Sequence, residues 1–253
     1  MKSTIITLGL FLTAILGQAQ TNEKRNVSSF SKIEVKDPIE LIYTEGEAPA
    51  INVTGNAGQL ANVSTEINDG MLKIQLKDTK EPMEKYTVYV TGHDLSSLKA
   101  SKNAVVNVTN QISAPEFSLT LSSGAQFSGS ILTPKSVSIK ADDSTFYKGF
   151  VQTDAVYGDF SDQAKAILTG NAQTAMIKTN HYALCDAGNF SAEKLFINAR
   201  EYSTTKIYAK KNIDIHVGES ARVTYSGKPS EVKMNENAVG TNGKMTKTVI
   251  AAK

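Results

Sequence analysis

The chain has 253 residues, with 27 Lys and Arg against 25 Asp and Glu, so its formal net charge is only +2. So small a net charge produces no strong electrostatic field, which argues against partners that are bound mainly by charge, such as nucleic acid or an anionic membrane surface. Trp is absent and aromatic residues make up 7% of the chain, which is few for a protein that stacks bases on ring platforms. We therefore expect no nucleic-acid partner.

The first 19 residues have the features of a secretory signal peptide. Lys2 supplies a basic start, Ile5–Leu16 forms an apolar run, and Gly17 and Ala19 place small residues before a cleavage site. The apolar run is too short to span about 30 Å of hydrocarbon. This pattern predicts export through the Sec pathway, with no membrane span after the signal has been cleaved.

The sequence contains no motif that identifies a reaction centre or a cofactor. Cys185 is the only cysteine, so no internal disulfide can form, and we expect a buried structural thiol. His93, His181 and His216 lie far apart and do not form a zinc-binding motif. Walker, dinucleotide and Gly-x-Ser-x-Gly fingerprints are also absent. We expect no cofactor, no metal site and no catalytic residue.

The N-terminal part of the mature chain, residues 20–96, is predicted to be ordinary antiparallel β structure. Short segments such as Ile39–Thr44 and Tyr86–Thr91 alternate apolar and polar residues, which is the period of a strand with one buried face. Asp69 and Gly70 form the dipeptide that a tight hairpin turn favours. Whether these strands form a separate lobe or the first turns of a larger β fold stays open.

Residues 97–227 contain a repeat of about 19–20 residues. Each repeat has two alternating apolar stretches that are separated by polar residues at fixed offsets, as expected for one turn of a β-solenoid. The aligned repeats begin at Leu98, Phe117, Val137, Val156, Ala175, Leu195 and Ile213. The prediction requires Phe117, Val137 and Val156 to lie one above another.

The predicted fold is therefore all-β, a right-handed parallel β-helix preceded by the antiparallel-like N-terminal region. Turns would stack at about 4.8 Å with their inward side chains in columns. A β-sandwich with regularly spaced hairpins remains the alternative. Residues 228–253 lose the repeat and would form a polar C-terminal cap or a tail.

The order of the N-terminal segments resembles a known family. Phe30–Val35, Ile39–Tyr43, Ile51–Gly55 and Asn68–Ile74, together with Gly/Ser-rich repeats such as Leu121–Ala125, are similar to the exported Bacteroidetes proteins known as auto-transporter adhesins with a head GIN domain. The resemblance covers about residues 30–227. It implies a β-helical protein of the periplasm or outer cell surface, and it supplies no catalytic residues. This chain departs from the family in the charged or bulky residues at its repeat corners.

The candidate binding site is the corner between the two apolar stretches of each repeat. The aligned corner positions are occupied by Ala104, Ser123, Asp143, Asp162, His181, Glu201 and Glu219. Arg200, Tyr182 and Tyr202 lie next to this column. Such a ridge could bind a sugar or a cation, and two carboxylates one turn apart would suit a retaining glycosidase. The same residues are also expected at an ordinary solvated corner, because corners favour polar turn formers.

The sequence thus favours an exported, non-enzymatic β-solenoid with a structural or adhesin-like role at the cell envelope. Its partner would be a polysaccharide or another envelope protein. The alternative is a carbohydrate-active enzyme, a polysaccharide lyase or a glycoside hydrolase. An enzyme should gather Asp143 and Asp162 in a cleft with a basic residue such as Arg200 or Lys178, whereas an interaction protein should display an open ridge.

Overall fold

The computed structural model describes residues 20–56, 59–79, 86–218, 220–235, 238–242 and 246–251. The predicted signal peptide, residues 1–19, lies outside these described residues. Within them the chain is almost entirely β structure, with one short 3-10 helix at Leu60–Asn62. The predicted β-solenoid is confirmed, with about 7 stacked turns and a mixed sheet at the N-terminal end.

Most of the described strands are short, and only four, of 14 to 16 residues, are long enough to cover two sides of the solenoid. The first ten are β1 Gln20–Arg25, β2 Lys32–Val35, β3 Ile39–Glu45, β4 Ala50–Asn56, β5 Val63–Asn68, β6 Met71–Leu76, β7 Tyr86–Gly92, β8 Ser97–Ala100, β9 Val105–Val108 and β10 Ile112–Ser113. The others are β11 Glu116–Leu121, β12 Gln126–Leu132, β13 Ser136–Ala141, β14 Phe146–Phe160, β15 Lys165–Thr179, β16 Leu184–Ala199, β17 Thr204–Val217, β18 Arg222–Gly227, β19 Glu231–Met234, β20 Ala238–Asn242 and β21 Thr246–Ala251.

Each turn of the solenoid has two faces joined at two edges. One face contains β8, β11, β13 and the C-terminal halves of β14 to β17, all paired in parallel. The other face contains β9, β12 and the N-terminal halves of β14 to β17. A tight turn joins the faces at the first edge, and a bend within each long strand joins them at the second.

The strand register confirms the predicted repeat from Phe117 onward. Phe117 pairs with Val137, and Val137 pairs with Val156. The predicted alignment of the first repeat is wrong by two residues, because Leu98 pairs with Leu119 and not with Phe117. Lys102 therefore takes the corner position that the alignment assigned to Ala104. The two extra residues lie between β9 and β10, since Asn107 pairs with Ser128 but Ile112 pairs with Ile131, and a constant repeat length could not reveal that.

The N-terminal strands form further rungs below β8 and β9. β2 pairs in parallel with β8 and with β6, and β3 pairs in parallel with β9 and with β7. The rung made of β6 and β7 thus lies beneath the rung made of β2 and β3, although it comes later in the chain. The antiparallel pairing predicted here occurs in the β5–β6 hairpin and in the pairs β1–β4 and β4–β7.

Antiparallel strands cover the ends of the stack. β1 and β4 lie at the N-terminal end, and the β20–β21 hairpin pairs with β18 at the C-terminal end. Covering the last parallel rungs in this way uses backbone groups that would otherwise be free to pair with another chain.

The core is a column of aromatic and aliphatic side chains between the two faces. Phe127 stacks on Tyr147 with ring centroids 5.7 Å apart, and Tyr147 lies 6.4 Å from Phe160. Gly149 leaves room for this column, since a Cβ atom there would come within 2.1 Å of the Tyr147 hydroxyl. The packed interior keeps the turns in register, and this positions the corner residues.

Candidate functional site

The first edge of the solenoid is built from tight turns whose two central residues are both left-handed. The φ angles are 51° and 65° at Asp162 and Gln163, and 44° and 62° at His181 and Tyr182. Two consecutive positive φ angles are the mark of a type I′ turn. The backbone N–H of Ala164 closes the first of these turns on the carbonyl of Ser161, at 3.0 Å.

Successive corner turns are hydrogen-bonded to one another. The backbone N–H of Gln163 donates to the carbonyl of His181 at 2.9 Å, and that of Tyr182 donates to the carbonyl of Glu201 at 3.0 Å. The turns therefore form a regular ladder, and equivalent side chains project side by side. We call this surface the corner ridge and define it by the predicted site residues Asp143, Asp162, His181, Tyr182, Arg200, Glu201 and Tyr202.

Two carboxylates of the corner ridge meet at one imidazole. The Nδ1 atom of His181 lies 3.6 Å from Oδ1 of Asp162, and its Nε2 atom lies 2.6 Å from Oε2 of Glu201. The half-exposed histidine therefore lies between the carboxylates of the turns on either side of it. When protonated it would form an ion pair with both of them, which the neighbouring water would weaken.

Two tyrosines form an aromatic pair on the same ridge. The rings of Tyr182 and Tyr202 are stacked, with centroids 5.2 Å apart and an interplanar angle of 7°. Each side chain keeps 59% of its surface exposed. The pair is thus a flat apolar surface with hydroxyl groups, held in place by the turns below it.

Two of the predicted site residues remain apart from these clusters. The guanidinium Nε of Arg200 donates to Oδ1 of Asn198 at 3.1 Å. Asn198 lies on β16, which ends directly before Arg200. Asp143 has an exposed side chain, and its backbone carbonyl accepts a hydrogen bond from Gly124 at 2.9 Å. Glu219, the last residue of the predicted column, lies outside the described residues.

The corner ridge is an open surface and not an enclosed cavity. The side chains of His181 and Asp162 are 54% and 56% exposed. In the part of the chain that the structure describes, no group of three His, Cys, Asp or Glu side chains is arranged to hold a metal ion. Charged groups in such an exposed position are screened by water, so specificity has to come from shape and hydrogen bonds.

Cys185 belongs to the core and not to the ridge. Its side chain is 3% exposed and free of any disulfide. Burial, with a smaller contribution from Asp186, raises the pKa of the Cys185 thiol to about 12. The thiolate that a nucleophile would need is therefore strongly disfavoured.

Sequence reasoning missed a concave surface on the other edge of the solenoid. A groove of about 860 Å³ lies where β14, β15 and β16 bend from one face to the other. The signal that could have indicated this groove is a break in the alternation of inward and outward residues along β14. Asp154 and Ala155 both lie outside the core between the buried residues Thr153 and Val156.

The described residues form a β-solenoid of stacked parallel turns with an exposed edge. The family described as "putative auto-transporter adhesin, head GIN domain" matches residues 29–229. The chain belongs to this family, as the resemblance had indicated. A comparison with the curated proteins finds no match.

Several crystal structures share the fold. A "putative adhesin" from Parabacteroides merdae is 18% identical with a TM-score of 0.74, over 86% of this chain and 96% of that chain. A "putative lipid binding protein" from Parabacteroides distasonis is 16% identical with a TM-score of 0.75, over 85% and 94%. A "putative adhesin" from the same species is 17% identical with a TM-score of 0.75, over 86% and 97%. At these identities the likeness shows the fold alone.

Among the described residues, no helix is both long and apolar enough to cross a bilayer.

Proposed function

We propose that this chain is an exported, non-enzymatic, adhesin-like protein of the cell envelope that binds its partner through the corner ridge. The partner is a polysaccharide or another envelope protein. The observation that carries this proposal is the stacked pair Tyr182 and Tyr202, exposed on a rigid ladder of hydrogen-bonded turns.

The two tyrosines occupy positions where a bulky side chain is unfavourable. Their φ angles are 62° and 61°, and residues other than Gly, Asn and Asp are uncommon in this left-handed region. Stacking of the rings offsets about 0.5–1.5 kcal/mol of this backbone strain. Asn or Gly, however, would form the turn without strain. The rings are therefore better explained by what they contact than by stability.

The open position of the carboxylates favours binding over hydrolysis. A glycosidase acid and base work best in a desolvated cleft that shifts their pKa values apart. Asp162 is more than half exposed and adjoins His181, while Arg200 is directed towards Asn198. Arg200, one of the two basic residues that the enzyme alternative could use, is thus engaged elsewhere, and Lys178 is an exposed residue of β15.

The cell-envelope location rests on two independent supports. Residues 1–19 have the composition of a signal peptide, and the family description names an auto-transporter adhesin. Mass spectrometry of the secreted protein should find Gln20 as the first residue. Retention of the full-length chain in the cytoplasm would contradict export.

The binding proposal is tested by removing the exposed rings while keeping the turns. A Tyr182→Asn, Tyr202→Asn variant should fold normally and lose most of its binding to at least one glycan of a glycan array or to intact cells of the producing bacterium. The matched control is Tyr89→Asn, since Tyr89 is 44% exposed but lies on β7, away from the ridge. An Asp143→Asn, Asp162→Asn variant tests the carboxylates in the same assay.

Two results would overturn the proposal. Unchanged binding in both ridge variants would mean that the corner is only a solvated turn. Turnover of a bound glycan that is lost on Asp143→Asn, Asp162→Asn would instead support the carbohydrate-active enzyme.

A further inference from the structure

The groove on the second edge runs along the solenoid axis. Its floor is formed by residues that are partners in successive rungs, Thr153 with Ala172 and Ala172 with Ala192. From Thr133 to Lys210 the lining passes through five rungs, which corresponds to about 19 Å at the usual strand spacing. The groove is thus elongated and repeats with the period of the fold.

One wall of the groove is a column of uncharged hydrogen-bonding side chains. Gln152 pairs with Asn171 in the next rung, and Asn171 pairs with Ser191. Within the described chain, the side-chain amides of Gln152 and Asn171 make no hydrogen bond to another residue. Their donors and acceptors are available to a ligand at intervals of about 4.8 Å.

The opposite wall carries charges that balance one another. Lys210 Nζ lies 2.7 Å from Oε1 of Glu193, and Lys211 contacts the other oxygen of the same carboxylate. Further along, Oδ1 of Asp154 lies 3.4 Å from the amide nitrogen of Gln173. Two carboxylates and two ammonium groups leave this lining without a net charge.

These features together select one class of ligand. An acyl chain would leave the amides and carboxylates unpaired, at a cost for every buried polar group. An anionic polymer would gain no net attraction from a neutral groove. A peptide strand has no sheet edge to extend here, because the lining strands β14, β15 and β16 are paired on both sides.

We propose that the groove binds a neutral, linear glycan that lies along the solenoid axis, with consecutive sugar units facing consecutive rungs. The spacing of the rungs is close to the length of one hexose unit in an extended chain. Hydroxyl groups would bond to Gln152, Asn171 and Ser191 on one side, and to Asp154 and Gln173 on the other. This site is separate from the corner ridge and does not rest on the function proposed for it.

The groove is built to hold a glycan and not to cleave it. Hydrogen bonds from Lys210 and Lys211 lower the pKa of the Glu193 carboxyl group. The lowered pKa makes Glu193 a poorer general acid for the protonation of a glycosidic oxygen, which hydrolysis requires. The expected activity is therefore binding without turnover.

Calorimetry with the mature protein and linear hexasaccharides of glucose, xylose and mannose would test the site. At least one of these probes should bind, and its affinity should rise from the disaccharide to the hexasaccharide. A Gln152→Ala, Asn171→Ala variant should bind about tenfold more weakly, because two hydrogen bonds are lost. Asn171→Arg should block the groove with a longer side chain.

All of the substituted groove positions are exposed, so circular dichroism should be unchanged in both variants. The ridge variant Tyr182→Asn, Tyr202→Asn serves as the matched control and should bind the hexasaccharide within twofold of the wild type. Failure of the ridge function and failure of the groove are therefore distinguished by different variants.

Four outcomes would overturn the inference. These are no binding to any neutral probe, equal binding by the wild type and both groove variants, loss of binding only in the ridge variant, and release of shorter sugars during the titration. Salt-dependent binding of heparin alone, or binding of phosphatidylglycerol vesicles alone, would point to an anionic ligand and would also overturn it.

Discussion

The Nε2 atom of His181 lies 2.6 Å from Oε2 of Glu201, although the two residues belong to different turns of the solenoid. The contact arises because the corner turns stack, as the backbone hydrogen bond from Tyr182 to the Glu201 carbonyl shows. Residues one repeat apart in the sequence thus become vertical neighbours at the surface. The corner ridge depends on this relationship.

Removing the imidazole should have little effect on stability. His181→Asn keeps a residue that tolerates the left-handed turn, and it removes contacts that water already weakens. We expect the free energy of unfolding in urea to change by less than about 1 kcal/mol, as for other exposed ion pairs. A loss larger than about 2 kcal/mol would mean that the histidine holds the corner together.

Two buried tyrosines should respond in opposite ways to the loss of a hydroxyl group. The Tyr147 hydroxyl is buried and has no hydrogen-bond partner among the described residues, whereas that of Tyr43 lies 2.9 Å from Oε2 of Glu45 and 3.1 Å from the carbonyl oxygen of Gly92. Tyr147→Phe should therefore leave stability unchanged or raise it, and Tyr43→Phe should lower it by about 1–2 kcal/mol.

The two variants serve as controls for each other in the same urea unfolding experiment. An equal loss in both would show that the Tyr147 hydroxyl has a partner, such as a buried water molecule.

The stacking of the later turns could be predicted because it follows from periodicity. Inward residues such as Phe127 and Tyr147 recur at one offset and pair in the structure. The corner residues were predictable for the same reason, since type I′ turns separate the two apolar stretches. Distances within the ridge, such as the contact between His181 and Glu201, depend on side-chain rotamers that the pattern does not contain.

Other features depend on long-range pairing that local pattern cannot reveal. β6 lies beneath β2, which precedes it in the chain. The residues of the two strands do not indicate this pairing. The groove was missed because polar residues such as Gln152 and Asn171 are equally suited to a convex solvated surface. Only the bend of the long strands makes them line a concavity.

One glycine should be essential to that bend. Gly170 has a φ angle of 107°, and a Cβ atom there would lie 2.0 Å from the carbonyl oxygen of Val151. Gly170→Ala should destabilise the protein by on the order of 2–4 kcal/mol, through backbone strain and the clash. Thermal unfolding followed by circular dichroism measures the loss.

Gly218→Ala is the matched control for this substitution. A Cβ atom at Gly218 would lie 3.9 Å from Cγ of Arg200, its nearest neighbour. The melting temperature should therefore stay close to that of the wild type. Equal losses at the two positions would contradict the assigned role of Gly170.

The single thiol, that of Cys185, should be unreactive in the folded protein. Because burial raises the pKa of Cys185 to about 12, Ellman's reagent at pH 8 should react with less than a tenth of the thiol in native protein. In guanidinium chloride the same sample should react completely, since the unfolded thiol has a pKa near 8.5. Rapid reaction of native protein would mean that the turn carrying β16 opens readily.

The charges of the groove should be visible in an acid titration. Lys210 and Lys211 lower the pKa of Glu193 in the folded state. Folding therefore gains stability from this group above its unfolded pKa, and the gain is lost as the pH falls through the lowered folded value.

Nuclear magnetic resonance of the Glu193 carboxyl carbon should give a titration midpoint below the ordinary pKa of about 4.3. In a Lys210→Ala, Lys211→Ala variant the midpoint should return to that value, while a Lys206→Ala control, whose ammonium group faces Asp186, should leave it unchanged. An unchanged midpoint in the double variant would show that the lysines do not neutralise the groove.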